Sequence, residues 1–419
     1  MNRNIFLIVL LGIILILSSC KGVQEDIVEK GDNTQIDEEI SEKDEEIDEI
    51  EQMIKTMTVK EKIGQLMIFG LNGTETDEHI KKMIIENHIG GIILFKYNIS
   101  NPKQTIGLLN SLKEANIYNP IPLFLSIDEE GGKVSRLSDP FFKLPEAKKI
   151  GDIDDKEISL EYGKILGRRI KSLGFNMDFA PVLDVNSNPK NPVIGSRAFG
   201  STIDTVVNNG LKVMKGINSE YIISIIKHFP GHGDTDMDSH MDMPIVKKDL
   251  EELESLELIP FIEGINRDVD GIMVGHILYS KLDKTYPATL SKEIITNLLR
   301  EKLSYDGVVI SDDMTMGAII KNYSIEDAST QFLKSGGDIL LICHGYENQI
   351  KVIDKIKEEV EKGTITEEEL NKKVYRIIKL KQKYEIEDNL VEDIDIESIN
   401  DKTRELLDKI KGLYKGASL

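Results

Sequence analysis

The sequence predicts a closed (β/α)8 barrel of the TIM type, and three observations predict it. Eight short apolar runs recur along the 419 residues, separated by stretches of helical periodicity. Most of these runs are continuous rather than alternating, as expected of parallel strands buried on both faces. The polar residues suited to chemistry gather at the ends of those runs, where barrel enzymes carry their sites. An open, doubly wound sheet is the alternative arrangement. No Gly-x-Gly-x-x-Gly follows the first run, which argues against a dinucleotide-binding fold of that kind.

Two segments precede the barrel. Residues 1–19 read as a signal peptide: Arg3 is followed by a 13-residue apolar run, Ile5 to Leu17, short for a bilayer span and suited to a signal core. Leu17-Ser18-Ser19-Cys20 closes the run and resembles the lipobox of bacterial lipoproteins, with Cys20 as the lipidated mature N-terminus. An ordinary secretory signal that happens to contain a cysteine is the plainer alternative. Residues 20–50 read as an acidic tether and the start of a lead-in helix. Residues 21–50 hold 13 acidic and 3 basic side chains, whose repulsion extends the chain. Ile36, Ile40, Ile47, Ile50, Ile54 and Met57 then follow a helical stripe into the body.

The barrel is expected over residues 51–389. Its strands are predicted at Leu66–Leu71, Gly91–Phe95, Pro122–Asp128, Asn176–Asp184, Ile222–His228, Gly271–His276, Gly307–Asp312 and Asp338–Cys343. Between the fourth predicted strand and its neighbours, Ile158, Tyr162, Ile165, Leu166, Ile170 and Leu173 mark a helix that Gly174 stops, and another spans about Thr202 to Ser219. Residues 390–419 read as a helical tail.

Composition narrows the function. A net charge of −21 and a pI near 4.9 repel phosphate backbones, so no nucleic-acid partner is expected. Two cysteines, Cys20 and Cys343, are too few for a disulfide framework, and Cys343 reads as a packed core thiol. Five of the seven histidines (His228, His232, His240, His276 and His344) lie at or just after a predicted strand end. The third strand ends Asp128-Glu129-Glu130-Gly131-Gly132, the fifth Lys227-His228-Phe229-Pro230-Gly231-His232-Gly233, and the seventh Ser311-Asp312-Asp313.

At these residues the chain resembles glycoside hydrolase family 3, in its bacterial β-N-acetylhexosaminidase branch. The stretch from Lys227 to His240, Lys-His-Phe-Pro-Gly-His-Gly-Asp-Thr-Asp-Met-Asp-Ser-His, matches that branch's signature throughout. Asp128 to Arg136, Gly195 to Gly200 and Ser311 to Met314 resemble three further blocks. The similarity covers about residues 53–385. Some relatives carry a second α/β domain after the barrel; here about 35 residues follow, so that domain is not expected.

The resemblance implies a retaining mechanism through a covalent glycosyl-enzyme, with Asp312 as nucleophile. Lys227 and Arg197 are expected to hold Asp312 ionised, and Asp313 to cap a helix starting near Met314. The second catalytic group is implied to be His240 oriented by Asp238, a proton shuttle with an ordinary pKa of about 6.5. Asp128, Arg136, Arg197, Lys227 and His228 are implied to bind the sugar, with a buried ion pair as the structural alternative for Asp128 and Arg197. His232 is expected to brace its loop, and His276 either lines the pocket or does not. No cofactor and no metal are implied. The partners are a carbohydrate substrate and, through Cys20, the outer face of the cell membrane, for a monomer acting on peptidoglycan fragments. Four readings stay open beside this one. They are a phosphorylase on the same site, a metal-dependent hydrolase using His228, His276 and Asp312, a substrate-assisted hexosaminidase using Asp312 and Asp313, and a non-catalytic sugar-binding lipoprotein.

Overall fold

The structure, a computed structural model, describes residues 48–416. The signal segment, Cys20 and the tether before Asp48 lie outside the described residues. The body opens with two short helices, the first at the end of the predicted stripe and the second just beyond it. Asp48 caps Glu49–Thr56 by accepting from the Ile50 and Glu51 amides. Thr58 then starts Val59–Gln65 with a reciprocal Thr58–Glu61 capping box, which sets the break.

Eight parallel strands follow: β1 Met67–Gly70, β2 Gly91–Leu94, β3 Phe124–Ile127, β4 Met177–Asp178, β5 Ile223–Phe229, β6 Gly271–Val274, β7 Val308–Ser311 and β8 Leu340–Ile342. Every residue in them is buried, which is why they read as continuous apolar runs. Neighbours pair in the order β8-β1-β2-β3-β4-β5-β6-β7. Met67 aligns with Leu340 on one side, and an Ile310–Ile339 bridge joins β7 to β8, closing the barrel.

All eight predicted runs hold a strand, but β4 is much shorter than its run. The regular pairing stops after Asp178 and resumes only where Val182 bridges Lys227; Pro181, which has no amide hydrogen to give, lies in the gap. The chain beyond Asp178 is thereby freed to carry Asp184 over the barrel mouth. Both predicted helices form: Lys156–Leu173, capped by Asp155 and ended by Gly174 at φ 105°, and Ile203–Ser219, capped by Thr202. The C-terminal helix Ile396–Gly416 lies against the body, with Leu406 and Ile410 buried and Asn400 bonded to the Phe142 amide and Pro140 carbonyl. Among the described residues no helix is long and apolar enough to cross a membrane.

Two loops build the mouth. The long loop after β5 is pinned to the loop after β6 by a two-residue parallel ribbon, Ile245–Val246 with Leu278–Tyr279. The loop after β3 turns at Gly131, whose φ of +81° and near contact with the Tyr162 hydroxyl leave no room for a side chain.

Candidate active site

Strand geometry sorts the acidic run after β3. Asp128 and Glu130, two residues apart, reach the same cationic group, and Glu129 turns away. Lys227, at the end of β5, donates to Asp128 Oδ1 at 2.8 Å and meets Glu130 Oε1 at 2.7 Å. Arg197 grips Glu130 with two parallel bonds, Nη2 to Oε1 at 2.7 Å and Nε to Oε2 at 2.8 Å. Arg136 reaches Asp128 Oδ2 at 3.3 Å. Glu129 is instead buried below, accepting from the Ser135 hydroxyl and the Arg136 amide. For Glu130, burial raises the carboxyl pKa, but Arg197 and Lys227 outweigh it and hold it far below the usual range. Asp128 is lowered by the same balance of burial against Lys227 and Arg136.

One expectation is corrected by these contacts. Arg197 and Lys227 pair with Glu130, and Lys227 also with Asp128, rather than with Asp312. The ion-pair alternative is realised for both Arg197, with Glu130, and Asp128, with Lys227 and Arg136. Glu130 was visible in the sequence only as one of three consecutive acids. The alternation of side chains would have separated it and Asp128 from Glu129.

Asp312 follows β7 and is half-buried, its amide donating to Val274 O at 3.1 Å. Burial raises its pKa, but His276, His228, the Asp313 amide and His240 together bring it below the ordinary value. Asp313 does not cap a helix. The following helix begins at Gly317, with Met316 as an unbonded cap, because Asp313 closes a turn of its own by accepting from the Thr315 amide and hydroxyl. It also accepts from the Cys343 amide at 3.2 Å, tying β7 to β8. Cys343 is buried, and burial pushes its thiol up, as suits a packed core residue.

The histidines divide by their partners. His228 gives Nδ1 to Asp184 Oδ2 at 2.8 Å, which leaves Nε2 for a ligand. Asp184 also accepts from the His232 amide at 2.6 Å, so one buried carboxylate sets both residues. The sequence showed Asp184 only as a strand end. His232 is buried and braces the loop as expected, through Thr235 at 2.8 Å and Ser239 at 3.2 Å, and burial lowers its pKa to about 4. His276 is fully buried, with Nδ1 on the Thr289 hydroxyl at 2.7 Å and Nε2 on Asp313 O at 2.9 Å. Both its ring nitrogens are engaged, so it has no lone pair to offer a metal. Among the described residues no group of three or more His, Cys, Asp or Glu side chains is arranged to hold one.

Asp238 and His240 meet on the β5 loop. One carboxylate oxygen, Asp238 Oδ1, accepts from both the His240 amide and its ring Nδ1, each at 2.8 Å. That bond fixes the tautomer and leaves Nε2 for proton transfer. The backbone turns at Ser239, which is buried while His240 is 64% exposed. For Asp238 burial is outweighed by the His240 amide and ring, which lower its pKa. Around the mouth stand a half-buried carboxylate, an exposed imidazole paired to a second carboxylate, and a cluster of donors on Asp128 and Glu130. This arrangement suits a proton-assisted displacement on a polyhydroxylated ring.

Comparison with known proteins agrees with the geometry. The family description Glycosyl hydrolase family 3 N terminal domain matches residues 58–380. Beta-hexosaminidase A of Pseudoalteromonas piscicida is 35% identical over 315 residues, 70% of this chain and 53% of that protein. This chain therefore spans about half the length of that relative. A beta-hexosaminidase of Nitrosomonas eutropha is 31% identical over 303 residues, covering 70% of this chain and 85% of that one. Among solved structures, a glycoside hydrolase family 3 beta-N-acetylglucosaminidase from Paenibacillus sp. superposes with a TM-score of 0.79 at 38% identity, over 84% of this chain and 68% of that one.

Proposed function

The chain belongs to glycoside hydrolase family 3, and from that membership we propose that it is a retaining β-N-acetylhexosaminidase releasing terminal β-linked N-acetylglucosamine. The observation that carries the reading is the Asp238–His240 pair, with Nδ1 held and Nε2 left for a proton. In the first step Asp312 attacks the anomeric carbon while His240 protonates the leaving oxygen, which departs as an alcohol. Asp238 stabilises the imidazolium before the step and orients the ring throughout. In the second step His240 takes a proton from water, which attacks the glycosyl-enzyme and frees Asp312. Lys227, His228, Arg136 and Arg197 donate to sugar hydroxyls and Asp128 accepts from them.

Lipidation at Cys20 would place this chemistry on the outer face of the membrane, where peptidoglycan fragments are the natural substrates. A phosphorylase is the second reading, favoured by one feature: a histidine shuttle leaves the site less negative than a carboxylate, so phosphate can enter. The experiment is a set of chromogenic β-glycosides followed by product analysis with added phosphate. We expect the N-acetylglucosaminide to be cleaved far faster than the glucoside or xyloside, with free N-acetylglucosamine as product at an unchanged rate. N-acetylglucosamine 1-phosphate as the main product would make the enzyme a phosphorylase. Equal cleavage of the glucoside would overturn the substrate assignment.

A further inference from the structure

Nothing in the mechanism above explains how an exposed loop keeps His240 in place. Residues 236–242 are exposed or half-exposed except one, Ser239, which is buried between Asp238 and His240. From below, its hydroxyl meets His232 Nε2 at 3.2 Å. From the side, its carbonyl accepts from the Ala318 amide at 3.1 Å. Lys321 reaches over to donate to the Met241 carbonyl. Gly317 lies flush against the loop: a methyl group there would stand 2.5 Å from His240 O and 2.8 Å from Met241 O, closer than a Cβ approaches backbone. Gly317 itself has ordinary helical backbone at the start of Gly317–Ile320, so its lack of a side chain serves the approach and not its own conformation.

The seat is connected to the nucleophile. Gly317 is five residues past Asp312, and the intervening turn is fixed by the Asp313–Thr315 bonds and by Met316 N to Asp313 O at 3.0 Å. The Met314 amide anchors the same turn to Leu341 O at 3.0 Å. One rigid segment therefore carries Asp312 at its start and receives the acid/base loop at its end.

We propose that Gly317, with Ala318 and Lys321, is the seat that registers His240 against Asp312. Gly317 is a positioning residue that acts through the loop. The inference rests on His240 being the acid/base.

The test compares wild type, His240→Ala, Gly317→Ala and Lys321→Ala. The added methyl must push the loop off its seat, and alanine's better fit to a helical backbone offsets only part of that cost, so Gly317→Ala is expected to melt somewhat below wild type but to stay folded. Two substrates separate positioning from damage. An N-acetylglucosaminyl disaccharide has a poor leaving group that needs the proton, and dinitrophenyl N-acetylglucosaminide does not. Acid–base help is worth roughly 10²–10⁴-fold, and a displaced loop forfeits part of it. Gly317→Ala is expected to lose about tenfold or more on the disaccharide. Its first-turnover release of dinitrophenol should stay within about threefold of wild type, followed by slow turnover that azide speeds. Lys321→Ala, a surface change, should move the same way by less, and it reads the same question should Gly317→Ala not fold. An unchanged disaccharide rate in Gly317→Ala, or an equal loss on both substrates while His240→Ala shows the selective loss, overturns the seat alone. An equal loss on both substrates in His240→Ala overturns the acid/base reading and the seat with it.

Discussion

The two ends of this barrel both bury charge, and they bury it differently. At the N-terminal end of the strands, Lys381 is fully enclosed and donates to Gln65 Oε1 at 2.9 Å, Gly90 O at 3.0 Å and Pro122 O at 2.6 Å. Its ammonium also lies 4.4 Å from the centre of the Phe124 ring. Lys373 donates to Leu333 O at 2.9 Å and Gly337 O at 2.7 Å. Burial lowers these lysines to about 7 and about 8. Their partners are mostly backbone carbonyls, which cannot titrate or change partners. At the C-terminal end, Lys227, Arg197 and His228 meet carboxylates from other strands and loops, and His240 meets one on its own loop. A buried charge therefore does not mark a site by itself. Nor does a carboxylate partner alone, since buried Asp338 at the start of β8 pairs with Arg300 and Arg376; what distinguishes the upper charges is that they open onto the C-terminal mouth, the end that barrel enzymes use for chemistry.

The largest expected effect sharpens that contrast. Glu130→Gln should leave Arg197 and Lys227 short of a buried counter-charge, a loss of about 3–5 kcal/mol in stability. It should also raise KM if both cations line the proposed sugar site. Denaturant titration and steady-state kinetics check this together. A stability loss with KM unchanged would make the upper charges as purely structural as the lower ones.

Next comes acid sensitivity. His232 is held neutral, with a folded pKa of about 4 against 6.5 in the unfolded chain. As pH falls below 6.5 the unfolded chain takes up a proton that the folded one refuses, so stability drops until about pH 4. The full loss is about 3 kcal/mol, and it is absent above pH 6.5. Buried His276, also lowered by burial, adds in the same direction. His232→Asn should flatten the fall in unfolding free energy across that window. A slope identical to wild type would mean that His232 is not the neutral brace described.

The smallest effect belongs to the far end. Lys381→Met strands buried acceptors, each costing about 1–3 kcal/mol, but removes an ammonium that burial disfavours. The net loss should be about 2 kcal/mol with kcat and KM unchanged. A changed kcat at constant fold would mean the two ends are coupled.

Much of this was legible in the sequence, and the misses have physical causes. The eight runs were legible because strands buried on both faces must be apolar throughout. The predicted fourth strand is longer than β4 because an apolar run does not reveal where the ladder is interrupted. The meeting of Asp238 and His240 was legible because both lie on one short segment. The pairing of Glu130 with Arg197, 67 residues apart, was not, because Asp312 is an equally available acid for Lys227 and Arg197 until the strand ends are placed. Long-range pairing among several like-signed candidates is decided by the turn of a strand end, which composition does not encode. Gly317 was invisible for the same reason: its role exists only once the loop after β5 has folded onto it.

In the proposed mechanism Asp312 forms the covalent bond and His240 manages the protons. It is tested most directly by mixing His240→Ala with dinitrophenyl N-acetylglucosaminide and mapping the protein by mass spectrometry during the slow phase. The mechanism predicts a burst of one dinitrophenol per enzyme and one N-acetylhexosaminyl adduct on the peptide holding Asp312, with azide discharging it. No burst, or an adduct on any other carboxylate, contradicts it.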